Sequence, residues 1–154
     1  MARWKDFELI SKLIGKEYER TVQERAVSIF SDILKIKPIP PNKFAEEILP
    51  CLEEAEEKGE IDEEKKKNVL ALDLIVKGII KDKDKYTKRE VVLAVEISYT
   101  LHKDDVERAR ERAQILSKVL NKEVIPAVVY AEIKEDVEKL LAKEEKIYKR
   151  RYAL

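Results

Sequence analysis

The chain is short of cysteine and of net charge, and each shortage removes a class of function. Cys51 is the single cysteine, which excludes an internal disulfide and a cysteine-rich zinc site. It reads as a small, partly buried apolar side chain. Lysine plus arginine and aspartate plus glutamate both number 32. Contact with phosphate must therefore come from a local patch and not from a globally basic protein. No apolar run approaches the ~20 residues of a membrane span, and the start Met1-Ala2-Arg3-Trp4 lacks a secretory core. The expectation is a cytosolic protein. Internal repeats and low-complexity linkers are also missing.

What remains is a chain of 154 residues, 44% hydrophobic and 42% charged. That balance predicts one folded domain with a buried core and a heavily ionised surface. Abundant Lys and Glu, with few Gln, Asn, Met or Cys, fits a heat-adapted source.

Apolar residues recur at helical spacing from Trp4 to Leu34. Gly15 is a place for that run to bend or divide, which makes residues 1–14 an N-terminal helical arm on a domain of 15–154. A short extended piece, 36–39, ends at Pro40-Pro41, where helix is disfavoured. Asn42 then caps a helix that Pro50 kinks or splits and Gly59 ends. Asp62 caps a short helix through Lys67. Two β-runs, VLALDLIVKGII and REVVLAVEIS, follow as a hairpin with a charged tip between Lys81 and Arg89. A helix from Asp104 or Asp105 leads to a strand over 124–129, with Pro126 implying an edge or a bulge. A last helix from about Lys134 to Tyr148 and a basic end complete the chain. The fold class is α/β: a mixed central sheet flanked by helices.

Asp73 and Glu96 each interrupt one of the greasy β-runs, where a lone carboxylate costs several kcal/mol unless compensated. Pairing Ile79 with Glu90 sets Asp73 opposite Glu96 on one face, with Cβ atoms ~5 Å apart. Carboxylates that close need a shared proton or a cation. A hard divalent ion, Mg²⁺ or Mn²⁺, suits them and can activate water against a phosphodiester. The alternative is that one acid points to solvent or pairs with an arginine from the following helix.

The sequence around these acids resembles the PD-(D/E)XK nuclease superfamily. The resemblance is carried by Asp73 within ALDLIVKG (71–78), by VEIS (95–98), by DVERARERAQIL (105–116) and by IPAVV (125–129). It is closest to a group within the superfamily that has VE[VI]S in place of the usual E-x-K. It implies a restriction-endonuclease-like core, with Asp73 and Glu96 as metal-binding acids and the Ile97 carbonyl as a further ligand. Glu19 is the match to the glutamate that many members place on the first core helix. Nucleic acid, DNA ahead of RNA, is the implied partner. Ser98 stands where the superfamily usually has lysine, and a hydroxyl carries no charge and is no base near neutral pH. The implied function is a metal-dependent DNA phosphodiester hydrolase with a degenerate third motif. The alternative is an inactive nuclease fold that binds nucleic acid or protein.

Several other residues have two readings. Lys77 shares the Asp73 face but lies ~13 Å along the strand. His102, the single histidine, either faces the acids or is an ordinary loop residue. Arg108, Arg110, Arg112, Lys118 and Lys122 form a phosphate-facing patch or a salt-bridged helix face, and Gln114 lies on the same helix. The segment 146–152 mixes basic and aromatic residues, as a nucleic-acid contact or a frayed end. Trp4, Phe7, Ile10 and Ile14 form a stripe that folds onto the domain or meets a second copy in a homodimer.

Overall fold

A computed structural model describes residues 3–81, 88–144 and 146–153. The expected hairpin tip falls largely on 82–87, and the Trp4 side chain is also outside the described residues. The element order is α1 (Arg3–Glu24), α2 (Ala26–Ile29), β1 (Leu34–Ile39), α3 (Pro41–Glu57), α4 (Glu63–Leu70), β2 (Leu74–Lys81), β3 (Lys88–Leu101), α5 (Lys103–Leu120), β4 (Val124–Ile133), α6 (Glu135–Ala142) and β5 (Tyr148–Arg151). The five strands form one sheet in the order β1-β2-β3-β4-β5. β1, β2 and β3 run antiparallel as a meander, whereas β4 joins β3 in parallel and β5 joins β4 in parallel. This mixed α/β sheet is consistent with a restriction-endonuclease-like core. No described helix is long and apolar enough to cross a membrane.

β3 is the centre of the molecule, with every residue from Val91 to Ile97 buried. Its even-numbered residues Val92 and Ala94 pack with Ile75 of β2, with Phe44, Ile48 and Leu52 of α3, and with Ala113 and Leu116 of α5. Its odd-numbered residues Leu93, Val95 and Ile97 pack on the other face with Tyr18 and Val22 of α1 and with Phe30. A strand covered on both sides reads as a continuous apolar run, which is why VVLAV does not alternate.

The structure departs from the sequence-based expectations at its prolines, at Gly15 and at its C-terminal end. Pro41 opens α3 and Pro40 takes the N-cap position expected for Asn42. A proline in the first helical turn removes only an N–H that would have had no partner. α3 runs on through Pro50, held on either side by buried Phe44, Ile48, Leu52 and Ala55. α1 is likewise unbroken at Gly15. Asp62 does cap α4, accepting the Lys65 N–H at 2.8 Å. Pro126 lies in β4 between β3 and β5, but β5 pairs only with residues 127–130, so the missing N–H faces no partner strand.

The C-terminal helix is shorter than expected, and β5 follows it. The segment 148–151 finds an open sheet edge, and ladder pairing outweighs the helical preference of its Lys and Arg. Its basic residues are tied down. Arg150 reaches Asp32 at 2.6 Å, the Tyr148 hydroxyl bonds the same carboxylate, and Arg151 donates to the Ala131 carbonyl at 3.0 Å.

β1 starts two residues earlier than expected, with a bulge between Leu34 and Lys37 and a left-handed Lys35 (φ 49°). The bulge folds over Gly78 of β2. A Cβ there would sit 2.2 Å from Ile33 Cγ2 and 3.1 Å from the Leu34 carbonyl oxygen. Gly78→Ala should therefore destabilise the fold by ~1–3 kcal/mol, read as a lower urea midpoint, whereas Gly15→Ala, in open space, should not.

Candidate functional site

β2 begins at Leu74, paired with Val95, but β3 continues to Leu101. Beyond Val95, therefore, one edge of β3 has no rung from β2. Asp73 lies at this notch. Carrying the Ile79↔Glu90 register onward sets it across from Glu96. Its Oδ2 accepts the Ile97 N–H at 2.8 Å, replacing the missing ladder bond. The N–H and C=O of one strand residue point to the same side, so the Ile97 carbonyl also faces the notch. From below, α1 contributes Gln23, whose Nε2 donates to the Asp73 carbonyl at 2.8 Å. One turn earlier, Glu19 lies beside the Asp73 carboxyl, close enough for the two acids to disturb each other's titration.

Glu96 projects from β3 onto the face covered by α5. Its Oε1 is 2.5 Å from Arg112 Nη1 and 3.5 Å from Arg108 Nε. The Glu96 side chain is 4% exposed and that of Arg112 11%. Arg112 also donates from Nε to Asn68 Oδ1 at 2.8 Å and from Nη1 to the Ala71 carbonyl at 3.3 Å. Its planar fork thus ties α5, α4 and the β2 approach to one carboxylate. Arg108 is 45% exposed and is steered by Asp105, which bonds it and also accepts the His102 N–H at 2.8 Å. Glu96 Oε2 is buried without a partner.

These acids hold protons above the usual carboxylate range. Burial and the neighbouring Asp73 push Glu96 up to about 8, against the pull of Arg112 and Arg108. Burial, again with Asp73, pushes Glu19 up to about 7. Asp73 itself is raised by burial, opposed by the Ile97 N–H. Of the three, only Glu96 contacts the arginines, and Arg108 also pairs with Asp105, so ionising all three leaves uncompensated negative charge that the low-dielectric setting resists.

The structure brings together Glu19, Asp73, Glu96 and Ile97, and adds Arg108 and Arg112. Ser98 is nearby, but its hydroxyl donates to the Thr100 carbonyl at 2.8 Å. Lys77 is engaged by Glu47 at 3.1 Å. His102 is exposed and its backbone starts α5. The expected phosphate patch on α5 does not hold as a unit. Arg110 pairs with Glu144 at 2.8 Å, Lys118 donates to the Glu60 carbonyl, and Gln114 faces solvent on another side of the helix. The sequence signal for the arginines was their spacing: four residues apart, they share one face of α5. Nothing in the sequence marks Asn68 or the Ala71 carbonyl.

Among the described residues, no group of three or more His, Cys, Asp or Glu side chains is arranged to hold a metal ion. The donor chemistry nevertheless fits a hard divalent cation. The notch offers carboxylate oxygens, a backbone carbonyl and the orphaned Glu96 Oε2, and an added positive charge would relieve the excess acid. Asp73, Glu96, Glu19 and the Ile97 carbonyl are the groups that would hold it.

No family model and no curated protein sequence matches this chain. A crystal structure of a repair endonuclease from Pyrococcus abyssi aligns over 54% of this chain and 34% of its own, with 24% identity and a TM-score of 0.34. The chain thus spans about a third of that endonuclease's length. The likeness is too shallow to carry a role from one protein to the other.

Arg112→Met removes the cation beside Glu96 and the bonds to Asn68 and the Ala71 carbonyl, and should lower the urea midpoint by more at about pH 9, where Glu96 ionises, than at about pH 6. The raised carboxyls also predict a pH dependence. A folded-state pKa above the unfolded one means that the native state binds more protons. In chelator-treated buffer, stability should therefore fall as pH rises from 4.5 toward about 8. Asp73→Asn keeps an acceptor for the Ile97 N–H but removes the repelling charge, and should flatten that slope. An equal slope in the variant rules out the shared-carboxyl account.

Proposed function

We propose that the chain is a nuclease-like domain that binds Mg²⁺ or Mn²⁺ at the notch and hydrolyses DNA phosphodiesters. The observation that carries this reading is the meeting of Glu19, Asp73 and Glu96 at the open edge of β3, with two of them pushed up to about 7 and 8. A cluster of like charges with one member buried and two half-buried is costly to the fold and is suited to a cation. A divalent ion bound there lowers the pKa of water and offsets phosphate charge. Asp73, just before β2, and Glu96, on β3, hold it, and the Ile97 carbonyl and Glu19 complete the protein's share of oxygens. Arg108, half exposed beside Glu96, supplies the positive charge toward a phosphate that the superfamily's motif lysine would have given. Ser98, turned to the Thr100 carbonyl, orients no water as a base.

A second reading has its own support. Arg112 already compensates Glu96 at 2.5 Å, and the motif lysine is replaced by Ser98. An arginine bonded to the acid, to Asn68 and to the Ala71 carbonyl is a structural tie that a fold without chemistry would keep. In this reading the domain binds nucleic acid or protein without cleaving.

Calorimetric Mn²⁺ titration and cleavage of single- and double-stranded DNA separate the two. The hydrolase reading expects Mn²⁺ binding that Asp73→Asn weakens at least tenfold, and cleavage in Mg²⁺ or Mn²⁺ that the same variant abolishes. Silence in both assays removes it. DNA binding undiminished by Asp73→Ala and Glu96→Ala, in folded protein, establishes the non-catalytic module.

A further inference from the structure

The open edge of β3 beyond Val95 carries one more side chain beside the notch. Tyr99, two residues past Ile97 and ~7 Å further along the strand, is 36% exposed. A single exposed ring is ordinary on a protein surface, but this one is held in place. Its ring meets that of Tyr18 at 86°, with centroids 5.5 Å apart, an edge-to-face contact. Tyr18 is 1% exposed and its hydroxyl is tied to the Tyr152 carbonyl, so it gives Tyr99 a rigid support. Glu19 is the next residue of α1, which sets Tyr99 on the rim of the acid cluster. The same rim carries two cations. Lys16, exposed one turn before Glu19 on α1, is close enough to lower the proton affinity of that acid. Arg108, 45% exposed, stands beside Glu96 on the α5 side.

We propose that an unpaired base of the substrate stacks on Tyr99, which makes the notch a site for single-stranded DNA in preference to duplex. The inference rests on the nuclease-like reading of the acids and names the substrate class of that same site. Depth, charge and chemistry each point to a single strand. The Glu96 side chain is 4% exposed, so the acids are recessed behind the rim. A flexible single strand follows a phosphate into such a recess, whereas duplex DNA resists bending over so short a length. The chain has no net charge, and Lys16 with Arg108 answers about two phosphates, too few to hold a duplex through its backbone alone. Affinity then has to come from the bases. Their faces are open on a single strand and hidden inside a duplex, and stacking on an aromatic ring binds any of them. Tyr99 is a positioning residue in this account: the base on its ring sets a neighbouring phosphate over Asp73 and Glu96.

Fluorescence anisotropy on the full chain tests the stacking, in Ca²⁺ and with oligonucleotide integrity checked on a gel. A short oligothymidylate should bind about tenfold more tightly than a closed hairpin duplex with the same number of phosphates. Tyr99→Ala should weaken the oligothymidylate complex about tenfold, and Tyr99→Phe should leave it unchanged. Neither substitution should alter binding of the hairpin or of a strand built from abasic sites, which separates stacking from a loosened Tyr18 contact. Equal affinity for single strand and duplex overturns the proposal, as does an oligothymidylate that fails to bind. Undiminished binding by Tyr99→Ala, or a loss that falls equally on the abasic strand, overturns it too. Hydrolysis is not the readout. A domain that binds strands without cleaving them still shows the tyrosine effect, whereas a hydrolase that binds without Tyr99 overturns this inference alone.

Discussion

The contact between Arg112 and Glu96 is the constraint around which the molecule is arranged. Both groups are removed from water, so neither can be left alone. The guanidinium fork holds the central strand, α4 and the turn after α4 in a single set of hydrogen bonds. Ion pairs of this kind contribute little net stability relative to apolar residues of similar volume, but losing one partner is severe. Their effect is to select one register. Moving β3 by one residue would turn Glu96 to the α1 face, away from every arginine on α5, and expose Val95 to them.

The notch at Asp73 follows from the same choice of lengths. Had β2 continued past Leu74, the Ile97 N–H would have met a backbone carbonyl and the edge would be closed. Stopping β2 one residue after Asp73 hands that donor to a carboxylate and leaves an opening where α1 can present Glu19. The acids are then gathered by backbone arithmetic and not by mutual attraction, which is why they repel and hold protons. A surface built only for stability would avoid that arrangement.

Much of this was legible in the chain. The register Ile79↔Glu90 and the Asp73–Glu96 juxtaposition follow from alternation in two apolar runs, where one face must be chosen. The helix from Lys103 to Leu120 follows from its period. The fate of residues 148–151 was not legible, because four residues carry no pattern of their own and take strand form only against an existing edge. The partner of Glu96 was foreseen in kind and not in identity. Arg108, Arg110 and Arg112 on α5 were chemically equivalent in sequence, and only the roll of the helix on the sheet decides that Arg112 turns inward and Arg110 meets Glu144. The prolines misled for a simple reason: their penalty depends on whether the missing N–H was needed, and at Pro41 and Pro126 it was not.

The Tyr18 hydroxyl donates to the Tyr152 carbonyl at 2.7 Å, across 134 positions of sequence. Tyr18 adjoins Glu19, and residue 152 follows directly on β5. The helix turn bearing one acid is thus moored by the residue just past β5. Releasing β5 from its edge would free the Glu19 turn, while Glu96 and Arg112, both within the β3–α5 unit, would keep their contact. The position of one acid therefore depends on a strand at the outer edge of the sheet.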